Sequence, residues 1–157
     1  MIKLVDFNEL LFLDILNLIE ECHNHQPFIK RKSFDPKRAM GLIQDMALGL
    51  SDHTSYFKLA FMQDELVGIL AVQKSLTFYD RSEVAWVEKI WYPRPGLPNI
   101  TRIKIMSTLI DDFLSSVKER VYFSCPPGNV VVKRMLEERG LCETSVQYSK
   151  GGVDDVR

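Results

Sequence analysis

Cysteine is scarce in this chain of 157 residues: Cys22, Cys125 and Cys142 are odd in number and widely spaced. That excludes a disulfide framework and points to a reducing, cytoplasmic setting. Excess charge of one sign is missing as well. Twenty Lys and Arg stand against twenty-one Asp and Glu, a net charge of -1, so nothing draws the whole chain toward nucleic acid or an anionic membrane. The local cluster Lys30, Arg31, Lys32, Lys37 and Arg38 reads as a solvated surface around a helix start. No apolar run is long enough to span a bilayer. The N-terminal LLFLDILNLI is interrupted by Asp14 and Asn17, and it lacks the cationic leader and small-residue cleavage site of a signal peptide. Repeats, low-complexity tracts and linkers are absent. At 46% hydrophobic residues the chain can bury one core, which predicts a single domain over 1–150 and a polar tail over 151–157.

What is present is an alternation of strand and helix patterns. Ile2–Val5 reads as a first strand, followed by a helix to about Cys22 with Asp6 as its N-cap and Glu9 as capping-box partner. Leu11, Ile15, Leu18, Ile19 and Cys22 form the buried face of that helix. Cys22, His23 and His25 lie close together, but no second cluster completes a four-ligand set, so no metal is expected. Asp35 and Pro36 announce a second helix, with Met40, Ile43, Met46 or Ala47, and Leu50 on its apolar face. The runs 56–62 and 65–73, separated by Gln63 and Asp64, predict an antiparallel hairpin, and Gly68 within it marks a bulge or a close backbone approach. The connection SLTFYDRS leads to a strand over 84–92. A helix follows, with Ile103, Met106, Ile110, Phe113 and Val117 on one face. Val121–Ser124 is a short fifth strand. A helix capped by Asn129 and ended by Gly140 comes next, then a last strand over 141–149. The result is an α/β fold, a mixed and mostly antiparallel sheet with helices on both faces.

This order resembles the GCN5-related N-acetyltransferase (GNAT) superfamily over nearly the whole chain. The hairpin DELVGILAV resembles its second-to-third strand turn, and AWVEKIWYPRPG its fourth strand ending in a proline. NVVVKRMLEERGL resembles its C-terminal motif, with Asn129, Glu137 and Gly140 at matching positions. In shortness the chain resembles the GNAT-like proteins of bacteriophages. The resemblance implies a fifth strand parallel to the fourth and splayed from it, with acetyl-coenzyme A lying in the splay. Backbone amides at Ile90, Trp91 and Tyr92 would take the pantetheine arm.

A glycine-rich loop wraps the pyrophosphate in the family, because glycine admits close approach and consecutive N–H groups cradle an anion. Here that stretch is PRPGLPNITR, in which Gly96 is the one glycine and Pro93, Pro95 and Pro98 lack an N–H. The family's glycine positions fall near Asn99 and Thr101. Cofactor binding would then rest on the amides of Asn99, Ile100 and Thr101 at a helix N-terminus, with the cations Arg102 or Lys104 and with Asn129. Glu88 is the candidate general base. The family's acid position holds Leu136, which cannot donate a proton, leaving Tyr92 or Cys125 as substitutes.

Two function classes follow. One is an N-acetyltransferase acting on a small-molecule or protein amine. The other is a GNAT-like binding or structural module without activity, for instance a virion component with a protein partner. Neither involves nucleic acid or a membrane.

Overall fold

The computed structural model of the chain describes residues 1–26, 33–76, 84–126 and 128–144. Five strands form one sheet in sequence order: β1 (Lys3–Asp6), β2 (Ser55–Met62), β3 (Glu65–Leu76), β4 (Val84–Pro93) and β5 (Arg120–Tyr122). The first four pair antiparallel, and β5 runs parallel to β4. A single turn of 3-10 helix (Glu9–Leu11) leads into α1 (Phe12–Asn24), and α2 (Pro36–Leu48) follows. The other two helices are α3 (Asn99–Ser116) and α4 (Val130–Glu137).

Several boundaries follow directly from local chemistry. Asp35 accepts from the amides of Lys37 and Arg38 and closes the free end of α2, with Pro36 in the first turn. Asn129 accepts from the Val132 amide at the start of α4, and Gly140 at φ 82° takes the left-handed position after it. Gln63 and Asp64 both have positive φ, as a two-residue hairpin turn between right-twisted strands requires. The cap expected at Asp6 is displaced. Asp6 is the last residue of β1 and pairs with Lys58 at 2.7 Å, while Asn8 caps the 3-10 turn through the Leu10 amide.

Two cores sandwich the sheet. One, against α1 and α2, holds Ile15, Leu18, Cys22, Ile43, Met46, Phe57, Leu59 and Ile90. The other, against α3 and α4, holds Trp86, Trp91, Ile105, Leu109, Phe113, Val132 and Leu136. Each fully buried aliphatic side chain contributes roughly 1.5–3 kcal/mol.

The buried face of α3 is Ile105, Leu109, Ile110 and Phe113. It is rotated from the expected stripe, so Ile103 is exposed and Met106 only half-buried. The reason lies opposite. Gly68 gives α3 room, and a Cβ there would stand 2.4 Å from Ile105 Cγ2. The hairpin register also slips beside it, since Ala60 faces Gly68 while Phe61 faces Leu66.

A second irregularity shapes β4. Ala71 faces Ile90 and Val72 faces Glu88, so Lys89 has no opposite residue. This bulge inverts the alternation of side chains along the strand. Trp86 and Trp91, five residues apart, thereby share the α3 face, while Ile90 and Tyr92 turn toward α1. β5 pairs with β4 only at Ala85–Val87, after which β4 continues to Pro93 paired with β3 alone among the described strands. The two strands splay there.

The last strand expected over 141–149 is not formed at residues 141–144, which carry no regular structure; its remainder lies outside the described residues. So do Lys30, Arg31 and Lys32 of the basic cluster, most of the SLTFYDRS connection and the tail over 151–157. Lys37 and Arg38 are exposed at the start of α2.

Candidate active site

The splay opens a cleft of about 810 Å³. Its floor is the free edge of β4, from Glu88 to Pro93. One wall comes from the C-terminal end of α1, and the other from the first turns of α3 and α4 together with the residues after β5. Five elements meet there because β5 stops pairing at Tyr122 and leaves the remainder of β4 uncovered.

Glu88 lines this cleft, half-buried at the bulge. Burial pushes its carboxyl up to about 7, although the Ser124 amide and hydroxyl and the Lys89 charge pull the other way. Tyr92, on the α1 side, is pushed above the usual phenol range by burial, against a hydrogen bond from Gln26. Cys22 donates its thiol proton to the Pro93 carbonyl at 3.6 Å, and burial raises it to about 12, so it stays a neutral thiol. His25 closes α1 with its Nδ1 2.7 Å from the Glu21 carbonyl.

The other end of the cleft is built by the start of α3. Pro98 occupies the cap position and offers no side-chain acceptor, so the first-turn amides keep their donors free of a cap. Arg102 lines the cleft, bonded to the Asn99 side chain through one terminal nitrogen, while its Nε is buried without a hydrogen-bond partner. Arg94 turns away from the cleft. Its amide donates to the Val67 carbonyl at 2.7 Å, and its guanidinium lies between Glu21 at 3.6 Å and Glu65 at 3.8 Å. Gly96, at φ 84°, makes the turn between strand and helix.

Of the residues singled out in the sequence, Glu88, Trp91, Tyr92, Asn99, Arg102 and Asn129 meet at the cleft. The side chain of Ile90 is 2% exposed in the α1-side core, which leaves it only a backbone contribution. Ile100, Thr101 and Lys104 face a separate cavity of about 290 Å³ with Met1, Ile2 and Met62. Gly96 lines neither. Asn99 and Thr101 are the first and third residues of α3, not loop positions waiting for glycine. Cys125 is exposed and lies outside the cleft lining.

Sequence reasoning missed the α1 contribution of Cys22, His25 and Gln26. The run of polar side chains at that helix exit was its one signal. It also missed Ser124, and Ile103, Met106, Val131 and Val132 along the apolar wall. Such an arrangement suits an elongated ligand with an anionic group at one end and a proton-donating group near Glu88 at the other.

No protein-family model and no curated protein matches the sequence. Solved structures do. An aminoglycoside 6'-N-acetyltransferase from Acinetobacter haemolyticus aligns with a TM-score of 0.61 at 17% identity, over 95% of this chain and 98% of its own. A predicted acetyltransferase from Clostridium acetobutylicum, solved with acetyl-CoA, aligns at 0.60 and 9% identity over 96% of both chains. The chain has the GNAT fold. A transcriptional regulator from Bacillus halodurans C-125 shares the architecture at a TM-score of 0.69 and 11% identity, covering 97% of this chain and all of its own. The splay between β4 and β5 is thus the part of this GNAT fold to which chemistry must be assigned residue by residue, because identities this low carry the fold alone.

Proposed function

We propose that the chain is an N-acetyltransferase that moves an acetyl group from acetyl-coenzyme A to a primary amine. The observation that carries the reading is Glu88. A carboxyl raised to about 7 stands on the floor of a cleft that is also lined by a helix N-terminus and a buried arginine nitrogen without a hydrogen-bond partner among the described residues. The acetyl-coenzyme A in the Clostridium acetobutylicum structure supports the choice of co-substrate.

The residues present fit that co-substrate. The amides of Asn99, Ile100 and Thr101 open α3 without a side-chain cap, and Arg102 Nε holds a hydrogen in reserve, so an anionic pyrophosphate has donors. The free edge of β4 supplies backbone groups for an amide-bearing arm, and Ile103, Met106 and Val131 supply an apolar wall. Acetyl-coenzyme A brings the activated acetyl group when bound.

The chain's own residues manage the protons. Glu88 in its ionised form takes the proton that an amine must lose to become a nucleophile, and a value near neutrality suits that task. Tyr92 keeps its proton at neutral pH. Its oxygen receives the Gln26 hydrogen bond, and its O–H remains a donor.

Calorimetry with acetyl-coenzyme A tests the reading. Wild type should bind in the micromolar range, and Arg102→Ala should lose roughly 1–2 kcal/mol with strong salt dependence. Lys104→Ala, altered in the separate cavity, should bind like wild type. Absence of wild-type binding at millimolar coenzyme sinks the proposal and leaves an inactive GNAT-like binding or structural module, such as a particle component.

A further inference from the structure

The polar side chains of the α1 wall are unequally committed. Cys22 is engaged with the Pro93 carbonyl and Gln26 with Tyr92. His25, exposed on the same wall, is different. Its Nδ1 lies 2.7 Å from the backbone oxygen of Glu21, and a carbonyl oxygen can only accept, so Nδ1 carries the hydrogen. In the neutral ring this fixes the tautomer, and Nε2 carries a lone pair with no hydrogen-bond partner among the described residues. A closing turn of α1 thus holds an imidazole acceptor on the α1 wall of the cleft that Glu88 also lines.

We propose that His25 is an acceptor-binding residue: its Nε2 receives an N–H hydrogen of the incoming primary amine, whose remaining N–H faces Glu88. The proposal rests on the acetyl-transfer reading of this cleft. It selects primary over secondary amines, because the nucleophilic neutral amine must offer two N–H hydrogens to two acceptors. The α1 ending is thereby a specificity element rather than only a helix stop.

Two substitutions separate the roles of the ring. In His25→Asn the side-chain amide reproduces the Nδ1–H bond that closes α1 but has nothing at Nε2. In His25→Gln the amide reaches the Nε2 position and gives up the Nδ1 bond. With n-butylamine as probe and saturating acetyl-coenzyme A, thiol release should show a KM about tenfold higher in His25→Asn. His25→Gln should stay within about threefold of wild type, equivalent to under 1 kcal/mol. Coenzyme affinity should be the same in all three proteins. A merely structural ring would reverse the order, with Asn harmless and Gln damaging.

A second readout needs no turnover. In histidine-labelled protein with coenzyme bound, the nitrogen resonance of His25 Nε2 should move on adding n-butylamine and stay fixed on adding N-methylbutylamine at equal concentration. Equal KM values in the three proteins, or an Nε2 resonance indifferent to the primary amine, overturn the proposal. Absence of coenzyme binding overturns the acetyl-transfer reading first, and this one with it.

Discussion

Glu88 joins two properties that a single substitution can separate. Its folded-state value of about 7 lies above the ordinary 4.5 because burial disfavours the charged form. The folded protein therefore holds this proton more tightly than the unfolded chain does. The stability linked to the residue is full below about pH 4.5 and is lost as pH rises through about 7. The proposed catalysis runs the opposite way, since a general base must be ionised, and its rate should climb through pH 7. Glu88→Gln should lower turnover at least tenfold and abolish that rise, yet melt later than wild type at pH 8, by a margin worth at least about 1 kcal/mol. Loss of activity without that gain would mark a structural defect instead. The place of Glu88 in the fourth strand was legible in the sequence. Its surroundings were not, because they depend on Ser124, thirty-six residues away in sequence and brought opposite by the start of the splay.

At the scale of elements, local chemistry was read well and rotations poorly. The hairpin turn at Gln63 and Asp64, the Asp35 cap and the Asn129 cap each need only neighbouring residues, and all formed as expected. The bulge at Lys89 and the turned face of α3 are tertiary effects. One shifts the alternation of β4, and the other answers the space left by Gly68. That space can be tested. Gly68→Ala should destabilise the protein by about 1–3 kcal/mol in denaturant melts, because the new methyl meets Ile105 Cγ2. Combining it with Ile105→Ala should cost less than the sum of the two changes, a favourable coupling of roughly 0.5–3 kcal/mol. Strict additivity would show that α3 yields freely and that Gly68 does not set its approach. The same logic bears on the start of α3. Placing glycines at Asn99 and Thr101 removes helix-compatible residues from its first turn, so the double variant should lose stability rather than acquire a phosphate loop.

The whole molecule is two cores on either side of one sheet, and the cleft is where both are reached at once. α1 belongs to one core and α3 with α4 to the other, yet all three contribute to its walls, with β4 between them. A ligand seated there ties the layers together across a seam where β4 and β5 share only three residue pairs. Sequence order was enough to place that seam, since the parallel fifth strand and the helices before and after it could be read in turn. Occupancy of the seam is a property separate from its shape, since one neighbour of similar fold is described as a transcriptional regulator. Linkage gives a direct measure. Acetyl-coenzyme A at a hundredfold excess over its dissociation constant should add about 2.7 kcal/mol to the free energy of unfolding. In a chain of 157 residues that should raise the melting temperature by roughly 5–10 °C. The same coenzyme concentration should give Arg102→Ala a visibly smaller rise. Hydrogen exchange should slow together in the last turn of α1 and the first turns of α3 and α4, because all three touch the ligand. Protection confined to one wall would mean that the ligand lies on the surface of a single layer, and the seam would then be a structural feature of the sheet rather than the site of acyl transfer.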